Sequence, residues 1–357
     1  MGMNLGESLK KLSGPILITG HTGFKGTWAT LLMEKIGLEV VGFSLEPEQN
    51  SLYKKLNRKN KIPEILSDIR NFESINKAVN EFKPSAIFHF AAQPLVLKSY
   101  SSPRLTFETN IQGTANLVDS AFKANSTKLI IVVTSDKVYK NDNSGKNFKE
   151  TDELFGKDPY SASKVGAELI VSAWQNLWKL NGGPKIISVR AGNVIGGGDN
   201  AENRLMPDLI DGFNNNKKIK IKNPQSTRPW QHVLDPLVGY IMASEKLITS
   251  EHLDNYNFGP KESSLSVAEV VELSKNFWGS DSEIVYELTK IVLESTKLSL
   301  NSEKAQKNLN WHPLWKQEDA VRLTIEWWKK VLVKVNDPFE CTLTDIQSAL
   351  RIIEDRS

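Results

Sequence analysis

The run Leu129-Ile130-Ile131-Val132-Val133 constrains the fold more than any other stretch of this chain. It is rich in β-branched residues and does not alternate with polar ones. That is the pattern of a strand buried on both faces, as in a parallel sheet. Such sheets carry helices on both sides and place ligands beyond the C-terminal ends of their strands. Thr134-Ser135-Asp136-Lys137 stand at that end. After a polar loop, Asp158-Pro159-Tyr160-Ser161-Ala162-Ser163-Lys164 opens a helix, with Asp158 as N-cap and Pro159 as first helical residue.

Tyr160 and Lys164 are four apart and share one helix face. A tyrosine with a pKa of about 10 is a poor base at neutral pH. The Lys164 cation and the positive end of the helix dipole both favour the phenolate. Ser135 can share the same substrate proton. Tyr and Lys at helical spacing are a common accident; the strand and hydroxyl before them make the arrangement chemical.

The same strand-then-helix rhythm runs through the first half of the chain. Pro15-Ile16-Leu17-Ile18-Thr19 reads as a strand, followed by Gly20-His21-Thr22-Gly23-Phe24-Lys25-Gly26 and a helix. Glycines 20, 23 and 26 depart from GxGxxG by one residue in the first interval. They serve the same ends: a tight turn, close approach to a pyrophosphate, and tight packing of helix on strand. The helix N-terminus adds N–H groups and dipole for phosphates. The second strand, Glu39 to Ser44, puts Ser44 where an acid usually meets the NAD ribose. Glu46 follows and no arginine is adjacent, which favours NAD over NADP. Asp68, followed by Ile69, is read either as facing the adenine or as N-cap of a helix over 75–82. Ala86 to Phe90 is the fourth strand, and the small residues Ala91 and Ala92, with Gln93, let a cofactor lie close. His89 is expected to be a packed core histidine. A helix with Asn110 and Gly113 precedes the 129–133 strand, and Ile186 to Arg190 forms another strand. Beyond residue 195 the rhythm weakens. A smaller second domain is expected there, in which Arg228 between turn residues suits phosphate capture or is fixed by its turn.

Charge is balanced, 45 basic against 42 acidic residues. Nucleic-acid binding is therefore not expected. Lys217-Lys218-Ile219-Lys220-Ile221-Lys222 alternates charge with isoleucine and reads as a strand with one solvated face. One cysteine, Cys341, excludes an internal disulfide and fits a reducing compartment. No apolar run approaches the roughly 20 residues of a membrane span. Residues 1–13 read as a flexible tail rather than a signal peptide. A soluble, cytoplasmic protein without membrane partner or metal site is expected. Trp311, Trp315, Trp327 and Trp328 are expected in the core.

With the glycine loop, Ser135, Tyr160 and Lys164 in place, the chain resembles the extended short-chain dehydrogenase/reductases that act on nucleotide sugars. Ala91-Ala92-Gln93-Pro94, Thr134-Ser135-Asp136-Lys137, Arg190-Ala191-Gly192-Asn193-Val194-Ile195-Gly196-Gly197-Gly198-Asp199 and Arg228-Pro229-Trp230-Gln231-His232-Val233 are similar to the CDP-glucose 4,6-dehydratase family. The resemblance covers residues 14 to 335 and implies an α/β Rossmann-type doubly wound parallel sheet with a smaller C-terminal α/β substrate domain. The expected division is an NAD-binding domain over 14–195 with a return segment near 232–260, and a nucleotide-sugar domain over 196–231 and 261–335.

The resemblance implies a lyase that converts CDP-glucose to CDP-4-dehydro-6-deoxyglucose and water, within deoxysugar and lipopolysaccharide O-antigen biosynthesis. Catalysis falls to Ser135, Asp136, Lys137, Tyr160 and Lys164. Tyr160 takes the C4 hydroxyl proton as hydride passes to NAD; water leaves across C5 and C6; hydride returns to C6. Asp136 is the natural acid at C6. Where dTDP-glucose dehydratases carry glutamate this chain has Lys137, as C5 base or as a cation steadying the enolate. NAD would touch Gly20, Thr22, Gly23, Phe24, Lys25, Gly26, Ser44, Asp68, Ile69, Ala91, Ala92, Gln93, Tyr160 and Lys164. The nucleotide sugar would touch Asn193, Arg204, Arg228 and Gln231. A homo-oligomer, dimer or tetramer, is implied through helices within 105–123 and 160–180. The rival readings are another nucleotide-sugar 4,6-dehydratase, a 4-epimerase, which has no use for Asp136-Lys137, and a non-catalytic NAD(H)-sensing module, which could dispense with Tyr160 and Lys164.

Overall fold

The computed structural model describes residues 5–287 and 295–356. Seven strands form its central sheet: β1 (Ile16–Thr19), β2 (Val40–Ser44), β3 (Glu64–Leu66), β4 (Ala86–His89), β5 (Leu129–Val133), β6 (Lys185–Ala191) and β7 (Tyr256–Phe258). They lie in the order β7-β6-β5-β4-β1-β2-β3 with every pairing parallel. This is the Rossmann order, and its direction reverses between β1 and β4, where a ligand crevice opens beyond the strand ends.

The unbroken apolar run of β5 has a direct cause. Leu129, Ile131 and Val133 enter one core, while Ile130 and Val132 enter the other. A strand between two helical layers has no polar face to show. Helices α1 (Phe24–Lys35) and α5 (Leu234–Thr249) cover the first side. Helices α2 (Phe72–Phe82), α3 (Gly113–Lys123) and α4 (Pro159–Asn181) cover the second. The start of α4 follows the sequence expectation. Asp158 accepts from the Ser161 amide at 2.9 Å, the Ser161 hydroxyl answers to the Asp158 amide at 3.1 Å, and Pro159 is the first helical residue. Such a cap contributes about 1 kcal/mol.

The C-terminal part is built from short paired strands and helices, among them α6 (Val267–Trp278), α7 (Gln317–Leu332) and α8 (Pro338–Asp355). Ile219–Lys222 pairs with Ile284–Glu287; its isoleucines are buried and its lysines exposed, as the alternation predicts. The GGGD segment is squeezed between this part and the sheet. Trp28 of α1 donates to the Gly197 carbonyl at 3.0 Å, and a Cβ on Gly197 would lie 2.0 Å from the Trp327 ring of α7. His89 sits inside the core, between the Thr19 and Thr114 hydroxyls at 2.7 and 3.0 Å. Burial holds its imidazole neutral, lowering it to about 3. Trp311, Trp327 and Trp328 are buried and Trp315 packs against them.

One expectation needs correction. The tail is not free from residue 5 onward: Leu5 and Leu9 are buried, Glu7–Lys10 forms a helical turn, and the Ser8 amide donates to Glu245 of α5 at 2.9 Å. Two leucines four apart suffice to dock one turn on an apolar helix. Helix α5 and strand β7 lie within the segment 232–260 expected to return to the sheet. Chain beyond 335 is also structured: α8 buries Cys341, Ile346, Ala349 and Ile353, and its Thr342 hydroxyl accepts from the Trp327 indole at 3.2 Å. Among the described residues no helix is long and apolar enough to cross a membrane.

Candidate active site

The glycine loop lies beyond β1 at the reversal of strand order. Gly20 has φ +76°, and a Cβ there would stand 2.7 Å from the Ala91 amide. A Cβ on Gly26 would stand 2.1 Å from the Gly20 carbonyl. Only glycine permits this closeness. Gly23 is exposed and meets nothing nearer than 3.3 Å, so the turn presents bare backbone and the N-terminus of α1 outward. Thr22 ties the loop to β2 through the Ser44 hydroxyl at 2.7 Å and the Leu45 carbonyl at 3.0 Å. A phosphate-binding cradle for a dinucleotide fits this geometry. Phe24 lies against Gly196. Ala91 closes on the loop, while Gln93 is held by Asn110, whose Oδ1 accepts the Gln93 amide at 2.8 Å and whose Nδ2 donates to Ser163 at 2.8 Å. Asn110 thereby fixes the β4 end against α4.

Ser135, Asp136, Lys137, Tyr160 and Lys164 converge where β5 ends and α4 begins. Ser135 caps the short helix Asp136–Val138: its Oγ accepts from the Lys137 amide at 3.2 Å and donates to Asp136 Oδ1 at 3.1 Å. The second oxygen of Asp136 is buried with no partner. Lys137 Nζ stands 3.6 Å from Asp136 Oδ1. Lys164 Nζ donates to the Val133 carbonyl at 3.0 Å, and burial lowers it to about 8 against the opposing charge of Glu168.

Tyr160 departs from the sequence expectation. Burial raises its phenol, and on balance the phenolate is disfavoured. The groups that oppose burial are the Lys137 cation first, then a hydrogen bond from Ser135 and the charge of Arg204. Lys137 thus adds a cation to the one the spacing placed at Lys164. Lys25 is drawn into the same space: its Nζ stands 5.8 Å from the centre of the Tyr240 ring. Burial lowers it to about 7, helped by Lys164 and Arg204 and opposed by Asp136.

The remaining candidates divide. Asp68 neither caps the following helix nor stands alone: Asn71 accepts from Ser74 as the N-cap, and Asp68 pairs with Arg70 at 2.6 Å. Ile69 is a core side chain packed against Gly113. Arg204 caps the helix Leu205–Asn214, pairs with Asp199 at 2.9 Å, and sends its charge to Tyr160 and Lys25. Asn193 carries a buried, unpartnered Oδ1. Arg228 is buried, with a bond to the Thr227 carbonyl at 2.9 Å. Gln231 is 3% exposed; its amide donates to the Phe258 carbonyl at 2.9 Å and its Oε1 is buried without a partner.

Sequence reading missed two groups at this centre. Tyr240 is fully buried with an unpartnered hydroxyl, and Asp136 and Tyr160 lie close enough to raise its phenol further. Nothing in the α5 sequence marks it. Glu168 and Arg190 form a fully buried pair behind Lys164. Their signals were readable: Glu168 extends the Tyr160–Lys164 spacing by four, and an arginine ending a buried strand demands a counter-ion.

Comparison with known proteins places this geometry. Residues 17–324 match the family profile described as GDP-mannose 4,6 dehydratase. A CDP-glucose 4,6-dehydratase of Salmonella typhimurium is 37% identical over 340 residues, covering 93% of this chain and 94% of that protein. An epimerase of Methanothermobacter thermautotrophicus superposes with TM-score 0.82 at 20% identity, over 93% of this chain and 97% of its own. A dTDP-glucose 4,6-dehydratase of Streptomyces venezuelae, solved with NAD, does so with TM-score 0.78 at 20% identity, over 91% and 99%. The two structures speak to the fold. With a 37% identical relative along nearly its full length and the family profile spanning sheet and reaction centre, this chain belongs to the GDP-mannose 4,6 dehydratase family of extended short-chain dehydrogenase/reductases.

Proposed function

We propose that this protein is a CDP-glucose 4,6-dehydratase that uses NAD. The observation that carries the reading is the company Tyr160 keeps: a buried carboxyl and a lysine beside the phenol and the serine. An epimerase needs a tyrosine and a serine there but no acid to expel water. The 37% identical relative named for CDP-glucose supports the choice of nucleotide.

The glycine loop, with Ala91, Ala92 and the Thr22–Ser44 link, fits the dinucleotide. When bound, NAD supplies a hydride acceptor and donor and a positively charged ring. Tyr160 takes the proton of the sugar C4 hydroxyl, with Ser135 sharing it. Lys137 and Arg204 make that proton transfer less costly by opposing the burial of a phenolate. Once C4 is a ketone, the Asp136 carboxylate takes the C5 proton while negative charge develops on the ketone oxygen. Lys137, already beside the phenol, is the cation for that charge. Asp136, protonated by that transfer and buried with one oxygen unpartnered, hands the proton on to the departing C6 oxygen, which leaves as water. Asn193, Arg204 and Arg228 hold the nucleotide diphosphate, and Gln231 belongs to the same nucleotide-sugar site.

The division into an NAD-binding part over 14–195 and 232–260 and a nucleotide-sugar part over 196–231 and 261–335 belongs to this reading. So does assembly as a homo-oligomer. Leu169, Leu177 and Leu180 of α4 are exposed, and beside them Leu97, Tyr100 and Phe107 on the neighbouring helical segments 96–107. Large apolar side chains exposed on packed helices support such an interface. Leu169→Glu is expected to release monomers in sedimentation analysis; a wild-type protein that sediments as a monomer would remove the oligomer.

The test of function is purified protein with CDP-glucose and NAD, followed for 4-keto-6-deoxy sugar, beside tubes with dTDP-, GDP- and UDP-glucose. Turnover of CDP-glucose alone is expected. Turnover of a different nucleotide sugar instead would overturn the cytidine assignment, and a C4-inverted product would replace the dehydratase with an epimerase.

A further inference from the structure

Helix α4 carries a third polar residue below Tyr160 and Lys164, one turn further along: Glu168. It is 3% exposed, and a carboxylate so deeply buried is costly unless it is paired and fully hydrogen-bonded. Its pairing is complete. Two guanidinium nitrogens of Arg190 donate to it at 2.8 Å each, the Ser188 hydroxyl at 2.6 Å and the Thr134 hydroxyl at 2.5 Å. Burial pushes Glu168 up, yet Arg190, Ser188 and Thr134 together hold it below the usual carboxylate value.

These partners come from both central strands. Thr134 immediately precedes Ser135 at the end of β5, and Ser188 and Arg190 belong to β6. One carboxylate therefore joins the helix bearing Tyr160 and Lys164 to the strand end bearing Ser135, Asp136 and Lys137. Arg190 extends the tie. It donates to the Tyr139 hydroxyl at 2.8 Å, and that hydroxyl donates to Asn257 of β7 at 2.7 Å. Tyr139 follows directly on the short helix of Asp136 and Lys137. Both arms of the reaction centre thus hang from the Glu168–Arg190 pair, although neither residue touches the space where a sugar would react.

From this placement we infer that Glu168, with Arg190 as counter-ion, is a positioning residue that sets the spacing between the Ser135–Lys137 strand end and the Tyr160–Lys164 helix. The chemistry it serves is that of the dehydratase reading above. A charge effect accompanies the spacing. Lys164 faces Glu168 on its own helix, Lys25 from α1 and His89 from β4. Of these, the Glu168 carboxylate is the group that works against burial to keep Lys164 a cation.

Two variants separate spacing from charge. Glu168→Asp keeps the charge and withdraws the carboxylate by one methylene. Its kcat with CDP-glucose is expected to fall about 100-fold. Its KM should stay within about threefold, and the alkaline fall of kcat should lie where wild type has it. The double variant Glu168→Gln, Arg190→Gln leaves no lone buried charge. It should lose kcat similarly, and its alkaline fall should move to lower pH, because Lys164 has lost the carboxylate that holds its proton. A merely structural role would leave the double variant's alkaline fall where wild type has it and lower the melting temperature of both variants. That result, or an aspartate variant within about threefold of wild-type kcat, overturns the inference. A crystal structure of Glu168→Asp reads the spacing without turnover: Lys164 Nζ should leave the Val133 carbonyl, and an unmoved Lys164 rejects the positioning role. If wild type turns over no nucleotide sugar, the dehydratase reading fails while this structural comparison still decides the inference.

Discussion

Tyr160→Phe should lower kcat on CDP-glucose by about 1000-fold while leaving KM for the nucleotide sugar within about threefold. The substitution removes one oxygen. The ring of Tyr160 is 8% exposed and packed at the first turn of α4, a helix start already fixed by the Asp158–Ser161 box, so the fold has no reason to change. Ser135 keeps its bonds to the Lys137 amide and to Asp136. What disappears is the base for the C4 hydroxyl. Burial raises the Tyr160 phenol, so the phenolate fraction at neutral pH is small and grows as pH rises. Wild-type kcat should therefore climb with pH on the acid side, and turn over on the alkaline side as Lys164, lowered to about 8, gives up its proton. The phenylalanine variant should lose the climb along with the rate. Steady-state rates from about pH 6 to about pH 10 measure both. A variant that keeps the climb, or that runs within about tenfold of wild type, would take Tyr160 out of the base role.

The identity of the groups around that phenol shows where sequence reading ends. β1, β2, β4, β5, β6 and the glycine loop were legible because each strand is a short, largely apolar run. The Asp158-Pro159 start placed Tyr160 and Lys164 on one face before any coordinates. Spacing, however, speaks of neighbours along the chain. A second cation beside Tyr160, Lys137, comes from the end of β5, while Lys164 donates to the Val133 carbonyl. Only the tertiary arrangement brings the two together.

Other misses have equally local causes. Helix α5 buries nearly every side chain, from Leu234 through Ser244, so it shows no amphipathic period to read. The strand it leads to, β7, is three residues long. Asp68 and Asn71 are both good caps by type; the structure uses Asn71 because Asp68 is engaged by Arg70. Leu5 and Leu9 looked like a tail because a single turn of helix has no propensity of its own and forms only where α5 receives it.

Asp136→Asn should divide the reaction in two: oxidation at C4 persists, and loss of water at C6 falls by about 1000-fold or more. Asparagine is nearly isosteric with aspartate. Its Oδ1 can still accept from Ser135 at the place where Asp136 does so at 3.1 Å, and its amide occupies the corner where Oδ2 is buried without a partner. The fold should hold, since no hydrogen bond is left broken. Its effect on the first step follows from sign. The Asp136 carboxylate raises the Tyr160 phenol and sits 3.6 Å from the Lys137 ammonium. Neutralising it lowers the cost of the phenolate and frees Lys137 to act on the phenol, so removal of the C4 proton becomes easier. The second step has no such relief, because an amide has no proton to give to a departing hydroxide. The variant mixed with CDP-glucose and NAD should therefore accumulate reduced NAD, seen by its near-ultraviolet absorbance, with a 4-keto sugar that still carries oxygen at C6. Wild type, which returns the hydride, should show little. Deoxy product at more than about a tenth of the wild-type rate would show that the proton comes from elsewhere. No reduced NAD at all would mean that Asp136 serves the oxidation, and the division of labour between Tyr160 and Asp136 would have to be redrawn.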